Sequence, residues 1–477
     1  MEKLKVDVAI IGAGSAGLNA RREVEKSGKQ PLMIERAAYG TTCARVGCMP
    51  SKLLIAAADA AHEIQGADRF GLKVDGWQVD AEAMFGRVRA ERDRFVNFVV
   101  EDTEALPSSQ RLLGHARFTA PGVLQVDEHT EVHARAVVIA AGSTPIIPPP
   151  YDAIREHVLV NDDVFELEQV PRRLAVVGTG IIGLELGQAL QRLGSEVTFF
   201  SPFEALGPFT DPVVQQVTHE VLSQSLHLQL SSQVSAAEKV AGGIRLSWTD
   251  AAGTAHEEVF DQVLVAAGRR PMLADLDLEA AGVALDERGM PAWDPRTTQV
   301  AGEPIFLAGD VSGHRPLLHE ASDEGRIAGG NAAAYPNITA HVRRTPLAVA
   351  FTDPNMAMIG SPYSELDPAA IEVGEVSFVN QGRSRVMGKN QGILRIYGDR
   401  CSCRLLGAEF IGPRAEHLAH LLAWSVQQQM TVTRALQMPF YHPVIEEGLR
   451  TALRDLASKL QVTGQCRGED LATAPGM

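Results

Sequence analysis

A strand that runs straight into a glycine turn and out into a helix occurs twice in this chain, and nothing else in the sequence constrains its fold as strongly. Val6-Asp7-Val8-Ala9-Ile10-Ile11 is the kind of apolar run that fills the middle of a parallel sheet. It ends in Gly12-Ala13-Gly14-Ser15-Ala16-Gly17; a helical stretch follows, and a second apolar run stops at Glu35. This spacing predicts a βαβ unit in which backbone N–H groups and the positive helix end face a pyrophosphate, with a carboxylate for ribose hydroxyls. A purely structural tight turn is the bland alternative, and it explains neither the flanking strand and helix nor the acid. The second copy is Gly178-Thr179-Gly180-Ile181-Ile182-Gly183, and its next strand ends at Ser201. An NAD site usually carries an acid there, and an NADP site a basic residue nearby. Gly183 suits close helix packing of the NAD type and Glu204 is a candidate substitute acid, so the reading leans to NAD and leaves NADP open.

The chain's 477 residues exceed what one hydrophobic core of about 250–300 residues can serve, so two to four domains are expected. A helix is predicted over roughly 80–105, a β-meander after it, and a boundary at Pro148-Pro149-Pro150. From about 346 strands and helices alternate as in an α+β domain, and the polar tail after about 461 is expected to be loose. A formal net charge of -15 argues against nucleic acid or an anionic membrane as partner. No apolar run approaches the roughly 20 residues that span a bilayer, and the N-terminus shows no cleavage site, so a cytoplasmic protein is expected.

Cys43 and Cys48 lie in Gly40-Thr41-Thr42-Cys43-Ala44-Arg45-Val46-Gly47-Cys48-Met49-Pro50-Ser51-Lys52. Pro50 suits the first turn of a helix, which places Cys48 at a helix N-terminus, where the dipole favours a thiolate, with Cys43 one loop away. Structural zinc would need four ligands, and no second pair lies nearby; two inert buried thiols are the other alternative. Cys401 and Cys403 read as surface thiols, and Cys466 sits in the tail.

Together with AAGSTP, AAGRRP, IFLAGD, FTDP and HPVIEE, these motifs resemble the FAD- and nicotinamide-dependent disulfide reductases, the family of dihydrolipoamide dehydrogenase, glutathione reductase and mercuric reductase. The resemblance implies an α/β fold: two Rossmann-like domains, one for FAD (1–150 and 272–345) and one for NAD(P) (151–271), and a C-terminal α+β dimerisation domain (346–461), with 462–477 as a flexible tail. It implies that Cys48 faces the flavin and Cys43 the substrate, with Lys52 paired to Glu185 beside the flavin. It implies FAD contacts at Gly12, Gly14, Gly17, Glu35, Arg36, Thr42, Lys52, Ala116, Gly142, Asp310 and Leu318. For the nicotinamide nucleotide it implies Gly178, Gly180, Ile182, Gly183, Ser201, Gly268 and Arg269, and no metal. His442, oriented by Glu447, would be the base acting in the partner's site of an obligate homodimer. An imidazole titrating near neutrality can take the proton of a substrate dithiol before its thiolate attacks the cysteine disulfide, and a carboxylate fixes its tautomer.

The expected substrate is dihydrolipoamide, free or on a lipoyl domain of a 2-oxo acid dehydrogenase complex, with NAD⁺ as acceptor. Three departures from the lipoamide branch bear on this. Arg45 introduces a cation near the thiols, and Phe440 and Val444 flank the base. The rival readings are an NAD(P)H-dependent reductase of another small disulfide or metal thiolate, a quinone reductase, and a docking subunit.

Overall fold

The computed structural model describes residues 2–463. Strand β1 (Glu2–Ile11) leads through the first glycine turn into α1 (Ser15–Lys26) and β2 (Pro31–Glu35). Two helices follow the turn after β2, α2 (Thr42–Val46) and α3 (Cys48–Gln65), and then α4 (Ala81–Glu104), close to the expected span. Strands β3 (Arg111–Leu113), β4 (Ala116–Ala120), β5 (Val123–Val126) and β6 (Thr130–Ile139) complete this region. Strand order is β3-β2-β1-β6-β5-β4, parallel at the β2-β1-β6 centre, with β4-β5-β6 as the antiparallel meander. Central strands of a doubly covered sheet must be apolar on both faces, and Val8, Ala9 and Ile10 are all fully buried.

A short ribbon pairs β7 (Ser143–Pro145) with a strand much later in the chain and forms the hinge between two units. The second unit repeats the first: β8 (Arg173–Val177), α5 (Ile181–Arg192) and β9 (Glu196–Phe200), followed by α6 (Pro212–Leu222) and β10 (His227–Gln229). An antiparallel sheet of β11 (Gln233–Val240), β12 (Gly243–Thr249) and β13 (Ala255–Phe260) precedes β14 (Gln262–Val265) and the hinge strand β15 (Arg269–Pro271). The parallel sheet of this unit runs β10-β9-β8-β14. Strand β16 (Ile305–Leu307) then returns to the first sheet beside β6, and α7 (Leu318–Ala334) packs across α1. Gly325 and Gly329 permit that contact, since a Cβ on either would lie 2.2 or 2.3 Å from the carbonyl oxygens of Ala16 or Ala20.

The strands Leu347–Ala350, Asn355–Gly360, Leu405–Gly412, Ile393–Asp399 and Ile371–Ser377 lie side by side in that order as an antiparallel sheet. The helices Ala415–Gln427 and Glu446–Thr463 bury Leu418, Leu422, Leu453 and Leu456 against it. Buried Glu409 of this sheet accepts from the N–H groups of Thr210 and Asp211, both at 2.8 Å, and Asp211 accepts from Arg395 Nε at 2.8 Å. The second unit is thereby fastened to the C-terminal sheet.

Two expectations change. Cys403 is fully buried and disulfide-bonded rather than a surface thiol, because the chain turns at it with φ +54° and tucks it into the C-terminal core; Cys401 is a free, exposed cysteine. The last helix runs on to Thr463, past the expected start of a loose tail; the rest of that tail and Cys466 lie outside the described residues. Among the described residues no helix is long and apolar enough to cross a membrane.

Candidate active site

The two cysteines stand on consecutive helices rather than a helix and a loop. Thr41 caps α2 by accepting from the Ala44 N–H, and α2 ends after one turn at Gly47. A Cβ on Gly47 would lie 3.1 Å from Thr42 O and 3.2 Å from Cys43 Cα, so the lack of a side chain is what lets the chain fold back and bring α3 beside α2. Cys48 is the first residue of α3, whose N-terminus has no side-chain cap. Its thiol is lowered to about 7, chiefly by the hydrogen bond from the Cys43 thiol and then by the Lys52 cation, against its own burial. Cys43 is pushed up, first by donating to Cys48 and then by desolvation. The pair is therefore asymmetric, Cys48 being the more readily ionised thiol and Cys43 the donor to it.

Lys52 lies one turn into α3. Its Nζ is 2.7 Å from Glu185 Oε2 on α5 and 4.7 Å from the centre of the Phe351 ring. Glu185 is 5% exposed, and its other oxygen accepts from the Phe351 N–H at 2.7 Å, so the buried carboxylate is fully engaged. Phe351, in the FTDP segment, is a site residue that sequence reasoning did not single out. Arg45 Nη1 donates to Tyr39 O at 2.8 Å, and Lys52 is the cation that lowers Cys48.

The first glycine turn fits a dinucleotide. Gly12 has φ +107° and a Cβ there would meet Ala140 O at 2.3 Å; Gly17 lies against Gly12 O. Gly14 faces open space, and α1 begins with no side-chain cap and no acid in its first turn, leaving its N–H groups to an anion. Glu35 ends β2 and accepts from Ala13 N at 2.8 Å and Ala37 N at 3.1 Å. Asp310 accepts from Ser143 Oγ at 2.8 Å, after a Gly309 whose N–H donates to buried Glu324. Gly142 has φ +74° and an open Cβ position, Thr42 opens α2 and Leu318 opens α7, while Arg36 is exposed and Ala116 is buried in β4.

The second turn repeats this backbone. Gly178 has φ +110°, Gly183 lies against Gly178 O, Gly180 faces open space, and Ile182 is in the first turn of uncapped α5. Ser201 takes the place of Glu35 and is only 3% exposed, its hydroxyl accepting from Phe203 N at 3.1 Å; Glu204 is exposed beyond it. Gly268 has φ +114°. Arg269 donates to Ser143 Oγ, Ser143 O and Asn161 Oδ1, at 2.9, 2.8 and 2.9 Å.

His442 and Glu447 form a separate pair on the C-terminal domain. His442 Nδ1 is 3.0 Å from Glu447 Oε2, and Arg450 Nη2 is 3.3 Å from Oε1. His442 holds the Glu447 carboxyl below its ordinary value, with help from the Val444 N–H and Arg450. The imidazole is 80% exposed in the single chain, and its hydrogen bonds run to Glu447, not to the cysteine segment. The structure thus assembles Cys43, Cys48, Lys52 and Glu185 in one place and His442 with Glu447 in another.

Residues 6–325 match the pyridine nucleotide-disulphide oxidoreductase family, and residues 347–453 match its dimerisation domain. The dihydrolipoyl dehydrogenase of Thermus scotoductus is 32% identical over 458 residues, covering 94% of this chain and 97% of that protein. Dihydrolipoyl dehydrogenase 3 of Pseudomonas aeruginosa is 31% identical over 467 residues, covering 94% and 97%. Among solved structures, the Cu(II) complex of the HOCl-induced flavoprotein disulfide reductase RclA from Escherichia coli superposes with TM-score 0.81 at 23% identity, over 95% of this chain and 99% of that one. LpdA from Mycobacterium tuberculosis superposes equally well, with TM-score 0.81 at 24% identity over the same shares.

Proposed function

The chain belongs to the pyridine nucleotide-disulphide oxidoreductase family, and from that premise we propose that it oxidises a dihydrolipoamide-type dithiol, with NAD⁺ as the final acceptor. It is a flavoprotein oxidoreductase that uses FAD and a nicotinamide nucleotide and carries a dimerisation domain. When bound, FAD supplies the two-electron carrier between the cysteine pair and the nicotinamide.

The observation that carries the proposal is the asymmetry of Cys43 and Cys48. In the oxidised enzyme the two form a disulfide. His442 of the partner subunit takes the proton of one substrate thiol, and the resulting thiolate attacks Cys43 Sγ, expelling Cys48 as a thiolate. The second substrate thiol then attacks the mixed disulfide, releasing Cys43 and closing the substrate disulfide; one proton stays on Cys43 and the other on His442. Attack at Cys43 fits because Cys48 is the better leaving group, stabilised by Lys52 and the α3 N-terminus. Glu447 holds the His442 imidazolium, and the Phe351 N–H and ring hold Glu185 and Lys52 in place. The dimerisation domain over residues 347–453 supports the homodimer that this role of His442 requires.

Purified enzyme assayed with dihydrolipoamide plus NAD⁺ should turn over, and Cys43→Ser should lose that activity by at least about a thousandfold while keeping its flavin. Turnover of oxidised glutathione with NADPH, in the absence of the first reaction, would establish the opposite direction and another disulfide. Unchanged activity in Cys43→Ser would point to a quinone reductase.

A further inference from the structure

We infer that Asn161 is a positioning residue for the cysteine pair, a latch between the redox segment and the interdomain hinge. Val46 is the last residue of α2 and lies between the two cysteines. Its carbonyl is one of the orphan acceptors at a helix end, and Asn161 Nδ2 donates to it at 3.1 Å. Asn161 is 8% exposed, and its remaining valences are taken: Nδ2 also donates to Asp162 Oδ1 at 2.7 Å, and Oδ1 accepts from Arg269 Nη1 at 2.9 Å. Arg269 in turn grips both the hydroxyl and the carbonyl of Ser143, whose hydroxyl donates to Asp310. A continuous set of hydrogen bonds thus runs from the peptide between Cys43 and Cys48, through the β7–β15 hinge, to the LAGD loop.

The latch matters because the two sulfurs must take two separations. A disulfide holds them about 2.05 Å apart, whereas a thiol donating to a thiolate needs a longer separation, so the segment that carries them must return to the same place in every cycle. The donor from Asn161 fixes where they settle when reduced, and with it the thiol-to-thiolate contact that lowers Cys48. The ionisable groups facing Cys48 are Cys43 on α2, Lys52 on α3 and Glu185 on α5; Asp162 and Arg269 flank Asn161.

This inference rests on the proposed placement of Cys48 against the flavin, and the test separates the two. Reduced holoenzyme is titrated while the long-wavelength thiolate-to-flavin absorbance is followed. The native protein should show the band with a midpoint near pH 7; its absence overturns the functional reading itself. Asn161→Leu, which keeps the volume and removes the donor, should raise that midpoint by about one pH unit with Lys52 unchanged. Asn161→Ala serves as a second variant should the leucine not fold, and Arg269→Met should shift the midpoint in the same direction by less. A band present in the native enzyme and titrating at an unchanged pH in a folded Asn161 variant overturns the latch.

Discussion

The two glycine turns share a backbone and differ most in chemistry at the side chain that ends the strand after each. Gly12 and Gly178 adopt φ +107° and +110°, each pressed against a carbonyl of the neighbouring strand, and Gly17 and Gly183 sit against Gly12 O and Gly178 O. At the end of the second strand the first unit places Glu35, whose carboxylate accepts from the N–H groups of both Ala13 and Ala37. The second places Ser201, which reaches only the corresponding downstream N–H, that of Phe203. The turn is thus set by chain geometry, while the residue that ends the next strand can change without disturbing it. The first unit therefore ends its second strand in a carboxylate shared between two N–H groups, and the second in a buried neutral hydroxyl.

The harshest way to break this comparison is to add a methyl group to each turn. Gly12→Ala and Gly178→Ala would place Cβ 2.3 and 2.4 Å from Ala140 O and Ala266 O, each costing its own unit roughly 3 kcal/mol. Gly12→Ala should purify without flavin; Gly178→Ala should keep its flavin and lose nicotinamide-dependent turnover, as read from absorbance spectra and melting curves. Equal flavin loss in both would show that the units do not act separately. A milder change, Ser201→Asp, should make the second strand end resemble the first and raise the NAD-over-NADP ratio of kcat/KM roughly tenfold. No change in that ratio would mean that Phe203 or Glu204 governs the choice. Smallest is Glu35→Gln, whose single amide oxygen cannot match a carboxylate serving two N–H groups. Reconstitution of the apoprotein should show FAD affinity weakened about fivefold.

What was legible in the sequence is what is local. Gly12 to Glu35, Gly178 to Ser201, Cys43 to Cys48 and His442 to Glu447 are short spacings carried within one βαβ unit, two adjacent helices or one helix start, and the distant Lys52–Glu185 pair was legible only through the family resemblance. The contacts that tune them join distant segments: Asn161 to Val46, Phe351 to Glu185, Arg269 to Ser143. A lone asparagine in a connection has no periodicity to betray it, and its partner is chosen by the packing of two sheets. The β11–β13 sheet went unread for a related reason, since β13 exposes most of Ala255-His256-Glu257-Glu258 and lacks the alternation that marks a half-buried strand. Cys403 misled because a C-x-C beside Asp399 reads as a polar turn, and only the third dimension puts one of its two cysteines in the core.

The return of β16 to the first sheet has a consequence for how the chain is made. Val137–Ile139 of β6 pair on one side with Ala9–Ile11 and on the other with Ile305–Leu307. A ribosome delivers the second unit, with its own parallel sheet, before that last partner emerges. The later unit in sequence can therefore close first, while the sheet begun at the N-terminus waits with an apolar edge open. That interval is when a nascent chain is most exposed to wrong pairing and when a chaperone has most to protect.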